Sequence, residues 1–158
     1  MSNQKKFFFM LLLSGFTLFL DLTSKYIVQQ EYPILVNGIN IFSGFNLVYV
    51  ENRGISFGLL SDFDISPVLG IISFIISFYI IYLVLQSNKI LEVIGLSLVL
   101  GGAIGNGYDR VSQGYVIDFL DFYIGKNHWP AFNLADTFIS VGAVIFFLSL
   151  FIKESKTN

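Results

Sequence analysis

Between Ile65 and Leu85 the chain runs for 21 residues without a charged side chain. A helix of that length rises about 30 Å, the thickness of a bilayer's hydrocarbon core. Three further apolar runs have similar length: 7–29, interrupted only by Asp21 and Lys25 near its far end; 90–108, with Glu92 at its edge; and 134–152, with Asp136 in its first turn. Four such spans in 158 residues leave room for two modest connecting loops, about 31–64 and 109–132, and for no independent soluble domain. The expected architecture is an all-α membrane protein, a four-transmembrane-helix bundle with a small extracytoplasmic β-sheet. Residues 1–158 form one integral membrane domain in this reading.

Composition agrees. Charged residues are 13% of the chain, about half the usual soluble share, and hydrophobic residues are 54%. A net charge of -2 with scattered basic residues offers no surface for nucleic acid. The absence of cysteine excludes disulfides, thiolate metal sites, cysteine nucleophiles and lipid attachment through cysteine. Lys5 and Lys6 ahead of an apolar run resemble a secretory signal, but no small-x-small cleavage pattern follows, so an uncleaved span is expected. With the amino terminus inside, Lys5, Lys6, Lys89, Lys153 and Lys156 collect on the cytoplasmic side, against Arg53, Arg110, Lys126 and the boundary residue Lys25 outside. That bias places both termini in the cytoplasm and both long loops outside.

In the first loop, 34–36 and 39–42 flank Asn37-Gly38, a pair suited to a tight hairpin, and Phe45, Leu47 and Tyr49 alternate with Asn46 and Val48 ahead of a turn at Asn52-Arg53-Gly54. A small apolar-faced sheet on the membrane surface is expected there, either cradling a lipid-bearing ligand or capping the bundle. In the second loop His128 and Trp129 sit where interfacial side chains collect.

Ionisable groups within or at the rim of a span cost roughly 2.5–3.5 kcal/mol each, so each needs a partner or a task. Asp21 and Lys25, four apart, share a helix face and can pair. Gly101 and Gly105 form a small-xxx-small face for close helix approach. Asn106 and Arg110, again four apart, bring an amide and a guanidinium to one place, where they can hold a carbonyl, a phosphate or a carboxylate, or simply anchor the helix end. Asp118 lies in the apolar run 115–120. Asp136 follows Asn133 by three residues, which fits a capping box at the start of the fourth span as well as a site role.

Asp118 and Asp136 nevertheless reach the same membrane surface. Two carboxyls sharing a site hold one proton between them, so one can activate water while the other donates a proton. A serine triad or zinc site would have to rest on His128, the single histidine. A Ser-Lys dyad would need Lys25, already matched by Asp21. A proton relay through Asp21, Asp118 and Asp136 wants acids at mid-membrane depth, whereas these gather near one surface; a purely structural subunit has no need of converging acids.

Taken together, Asp21-Leu22-Thr23-Ser24-Lys25-Tyr26, Asn52-Arg53-Gly54-Ile55-Ser56-Phe57-Gly58, Gly102-Ala103-Ile104-Gly105-Asn106 with Asp109-Arg110, Gly114-Tyr115-Val116-Ile117-Asp118-Phe119 and Trp129-Pro130-Ala131-Phe132-Asn133-Leu134-Ala135-Asp136 resemble, in order and spacing, the lipoprotein (type II) signal peptidases of bacteria. The resemblance implies an aspartyl endopeptidase of the cytoplasmic membrane that cleaves diacylglyceryl-modified prolipoproteins before the lipidated cysteine. It implies Asp118 and Asp136 as the catalytic pair. Asn52, Gly54, Asn106, Arg110 and Asn133 would bind substrate or polarise the site, with Asp21 and Lys25 in support. Expected partners are the lipid-modified substrate and membrane lipid, with no metal, cofactor or obligate protein partner.

Overall fold

The computed structural model describes residues 2–54 and 65–152. Lys153 and Lys156, and the segment Ile55-Ser56-Phe57-Gly58 of the first-loop motif, lie outside the described residues. Helix α1 spans Asn3–Gln30 and a single turn, α2, Tyr32–Leu35; strands β1 (Ile39–Phe42) and β2 (Phe45–Asn52) follow. Then come α3 (Ser66–Gln86), α4 (Ile90–Gln113), β3 (Val116–Ile124), β4 (Asn127–His128) and α5 (Leu134–Phe151). Helices α1, α3, α4 and α5, of 28, 21, 24 and 18 residues, are each long and apolar enough to cross a membrane. Their outward faces carry large apolar side chains such as Phe8, Phe19, Phe78 and Phe147, as lipid-facing surfaces require.

Helix α4 is the hub, because it offers a glycine wherever a neighbour comes close. A Cβ on Gly101 would collide with Thr17 and the Ser14 carbonyl of α1, and one on Gly105 with the Asp21 carboxylate. Gly95 and Gly102 admit α5 in the same way, Gly95 against the Gly142 carbonyl and Gly102 against that of Ala135. Gly107 lies against Gly70 and Ser73 of α3. The Gly101/Gly105 face is therefore a packing seam, as its spacing predicts. Towards the end where α1 begins and α5 finishes, Met10, Val84, Val93 and Leu100 are buried in a common apolar core.

At the other end four antiparallel strands lie in the order β1-β2-β3-β4. Two expectations are corrected here. Residues 34–36 are not a strand: Pro33 sits in the first turn of α2, where its fixed φ and missing N–H suit a helix, and Gly38 leaves that turn at φ +74. The hairpin turns instead at Ser43-Gly44, with Gly44 at φ +100, joining Phe42 to its partner Phe45. The second correction is that residues 109–113 continue α4, and 116–124, expected only as loop, form β3, the strand that pairs with β2. Val116, Ile117, Asp118 and Phe119 are all buried, so this segment is apolar on both faces and shows none of the alternation that marks a half-exposed strand. Ile117 and Phe119 pack with Val28 of α1 and Leu35 of α2, which ties the sheet to the bundle.

Candidate active site

Five elements meet where the sheet joins the bundle, and each contributes a polar side chain. Asp118 comes from β3, Asn52 from the end of β2, Asn106, Asp109 and Arg110 from the last turns of α4, Asp21 and Lys25 from α1, and Asn133 with Asp136 from the start of α5.

Asp118 is 2% exposed. Its Oδ1 accepts from Asn133 Nδ2 at 2.7 Å and its Oδ2 from Asn52 Nδ2 at 2.9 Å. Asp136 Oδ1 accepts from Asn106 Nδ2 at 2.7 Å, and its Oδ2 accepts from the Asn133 backbone N–H at 3.3 Å. Asn133 Nδ2 also donates to Asn106 Oδ1 at 3.3 Å, so the two carboxyls are linked through a pair of carboxamides. The capping box expected of Asn133 and Asp136 is present, with Asn133 Oδ1 accepting from the Asp136 N–H at 2.9 Å. Asp136 thus caps the helix and also lines the cavity that holds the other acid, so its capping does not preclude a site role.

Burial, and next the neighbouring Asp136 charge, push the Asp118 carboxyl up to about 7; the hydrogen bonds from Asn52 and Asn133 and the Lys25 charge pull the other way and lose. Both carboxyls line one cavity of about 720 Å³, together with Asn52, Asn106 and Arg110. Trp129, Pro130 and Phe132 form one wall, and Thr137, Ser140 and Val141, the next turn of α5, extend it along the bundle. Arg110 reaches across the mouth: Nη2 donates to the Gly54 carbonyl at 3.3 Å and Nη1 to that of Asn106 at 3.4 Å. The Gly54 N–H in turn donates to Asn52 Oδ1 at 3.1 Å, closing the turn expected at 52–54 and leaving Asn52 Nδ2 for Asp118. Asn133 is completely buried, so its side chain has no free face for a peptide and acts on the carboxyls from behind.

Behind this layer, Lys25 Nζ lies 2.7 Å from Asp21 Oδ2, the pairing their spacing predicts, and also 2.8 Å from Asp109 and 2.9 Å from Asn106 Oδ1. The other Asp21 oxygen accepts from the Ala135 N–H at 2.9 Å. The consequence for Asn106 is directional. Its oxygen is taken by two donors, Lys25 and Asn133, so its NH₂ must face Asp136. Asp109 is the residue the sequence reading left without a task. Its signal was present, since Asn106 and Asp109 are three apart on a helix that runs on to Gln113. His128 stacks on Tyr123 and pairs with Asp121 at 2.9 Å, on the face of β3 away from Asp118.

Four membrane-length helices and a paired-carboxyl cavity at one end of their bundle define a multi-pass membrane protein with the makings of an acid-base hydrolase. The family model for "Signal peptidase (SPase) II" matches residues 13–152. A lipoprotein signal peptidase of Francisella tularensis subsp. novicida is 42% identical over 142 residues, 86% of this chain and 88% of that protein. Its counterpart in Pasteurella multocida is 39% identical over 155 residues, 96% and 93% of the two chains. Among solved structures, a bacterial membrane enzyme determined in meso at 2.3 Å resolution superposes with a TM-score of 0.81 at 26% identity, covering 94% of each chain. The chain belongs to the signal peptidase II family: it is an aspartic endopeptidase and a multi-pass protein of a bacterial membrane.

Proposed function

We propose that the protein removes signal peptides from diacylglyceryl-modified prolipoproteins by cutting immediately before the lipidated cysteine, and that Asp118 and Asp136 perform the cut. The observation that carries this reading is the pair itself: two carboxyls from different elements, joined through Asn106 and Asn133, facing one cavity, with Asp118 held up to about 7. With Asp118 raised to about 7, it keeps its proton in a large share of molecules near neutral pH and is the acid of the pair. Asp136, accepting from Asn106 and from the Asn133 N–H, is the base.

Water attacks the scissile carbonyl as its proton passes to Asp136, while Asp118 gives its proton to the carbonyl oxygen, forming a gem-diol. Collapse returns a proton to Asp118 and delivers the one on Asp136 to the departing amine, so the pair ends as it began. Arg110 and Asn52, both on the cavity wall, hold the peptide carbonyls; Gly54 presents its carbonyl to Arg110 and fixes the turn that aims Asn52. Asn133, Lys25, Asp21 and Asp109 are positioning residues that act through Asn106, Asp118 and Asp136.

A signal peptide in lipid is helical and its amides are shielded, so the cut requires an extended segment at the water interface. The reading therefore keeps residues 1–158 as one membrane domain with both termini in the cytoplasm and the sheet end outside, where the lysine bias puts them. It asks for no metal, cofactor or protein partner. The test is processing of a lipid-modified precursor by the purified enzyme and its Asp118→Asn and Asp136→Asn variants, read as the mass of the released peptide. Undiminished cleavage by either variant would sink the dyad.

A further inference from the structure

The outer half of the sheet has two unlike faces. The register places Phe45 opposite Phe122 and Asn46 opposite Asp121, while β1 contributes Asn40 and Phe42 two residues apart. On one face Asn40 donates to Asn46 at 3.0 Å and to the Tyr123 hydroxyl at 2.8 Å, and Asn46 donates to Asp121 at 2.8 Å. On the other, four rings lie in series: Phe42 to Phe45 at 5.3 Å, Phe45 to Phe122 at 4.7 Å and Phe122 to Phe132 at 5.9 Å. Alternation along β3 puts Val116, Asp118, Phe122 and Ile124 on the same face, so the aromatic series begins where the catalytic cavity ends.

A second cavity, of about 820 Å³, opens at the edge of that face, bordered also by Tyr123 and His128 from the other face, and Trp129 and Phe132 line both it and the catalytic one. Among the described residues its lining holds no Asp, Glu, Lys or Arg, and Tyr123, Asn127 and His128 are its polar members. Ile124, at 87% exposure, and Phe122, at 45%, stand open at its rim.

On the basis of the function proposed above, we infer that this second cavity takes a fatty-acyl chain of the lipid-modified substrate. The occupant is set by chemistry and reach. From Asp118 to Ile124 the strand runs about 20 Å, close to the length of an extended fatty-acyl chain. A peptide laid on the aromatic face would leave its amides opposite rings, whereas a hydrocarbon chain needs nothing but apolar cover. Continuity matters as well. A lipid arm joined to the residue beside the scissile bond starts at the catalytic cavity, passes Phe132 and Trp129, and covers Phe122 and Ile124 without being drawn through water. The track lets the reacting peptide rise to the carboxyls while its lipid stays in apolar contact.

The experiment uses the full-length enzyme in detergent and a precursor peptide carrying a diacylglyceryl cysteine with a photoreactive diazirine at the end of one acyl chain. Expected are crosslinks concentrated in 42–45 and 122–132, competed by unlabelled precursor. Crosslinks confined to α3 and α5 would overturn the assignment. So would equal labelling of the sheet by a diazirine phospholipid that the precursor fails to displace, which would make the face a seat for bulk lipid. As an activity readout, Ile124→Ser is expected to raise KM for the diacylated precursor several-fold with kcat unchanged and with no change for a short-chain diacyl analogue; an equal change for both substrates would count against the track. Crosslinking is read without turnover, so a failure to cleave would count against the proposed function and leave this assignment to be decided separately.

Discussion

The bundle buries a lysine near each end, and the two are put to opposite uses. Lys6, near the start of α1, is 4% exposed and gives its ammonium to the carbonyls of Leu85 and Ser87 at 2.8 and 2.7 Å, the unpaired acceptors at the end of α3. Lys89 does the same for α5 through Ser149, at 2.9 Å. The bonds of Lys6 are to partial charges that the helix dipole completes, and Lys89 adds Glu92 at 3.8 Å. Lys25, 3% exposed, meets two full carboxylates and the oxygen of Asn106. One end uses cations to finish helices; the other uses one to balance acids and aim an amide. A buried ammonium is therefore no signature of function, and what distinguishes the two is the second residue each partner touches: Asn106 goes on to Asp136, while the carbonyls go nowhere further.

The contrast can be broken at its strongest point first. Asp118→Asn and Asp136→Asn are each expected to cut precursor processing by about 10²–10⁴-fold or more, while circular dichroism shows an intact helical bundle. Asp118→Asn keeps the shape but sets an amide nitrogen against an asparagine donor, so a modest fall in melting temperature is expected as well. Next comes Lys25→Met, which strands Asp21 and Asp109 beside each other without a cation. A loss of about 3–5 kcal/mol in detergent unfolding is expected. Activity should fall even at temperatures where the variant stays folded, because Asn106 is freed to turn. Lys6→Met is the control, expected to lower stability by about 1–2 kcal/mol and to leave kcat/KM unchanged. A matching loss of activity in both variants would erase the distinction between the two ends.

Acidity sharpens the comparison further. In the mechanism proposed above the pair works with one proton, and Asp118 loses its own as pH rises through about 7, so kcat/KM is expected to decline above that point. Because this carboxyl is raised above its unfolded value of 3.8, its stabilising share is complete below that value and is lost as pH climbs toward about 7. Thermal stability in detergent should therefore drop over that interval in the parent and not in Asp118→Asn. Asp136→Asn removes one cause of the rise and should move the Asp118 carbonyl band, followed by infrared titration, to lower pH. The smallest effect expected is none: a chelator added to the assay should leave the rate where it was.

The four helices were legible because an apolar run of bilayer length has few other uses, and Asp21 with Lys25 because four residues on a helix make neighbours. Asn133 with Asp136 was legible as a cap, which the fold bears out, whereas their closeness to Asp118 depends on a strand that local sequence does not reveal. The sheet was half legible. Alternation exposed β2, but β3 is buried on both faces and shows no period, and Pro33 turned an apparent strand into a helical turn. Asp109 was hidden for a related reason: its partner, Lys25, is 84 positions away, and only the glycines at 101 and 105 bring α1 close enough to α4 for the pair to form.

Among the described residues, the side chains that hydrogen-bond the two acids have one chemical trait in common. Asn52, Asn106 and Asn133 are all carboxamides, which neither take up nor release a proton anywhere in the range where a bacterium lives. Imidazoles or hydroxyphenyl rings in those three places would offer the shared hydrogen somewhere else to go. Ringed by inert amides, the hydrogen of the proposed mechanism would pass only among the two acids, the attacking water and the peptide, and each turnover would leave one on the pair for the next.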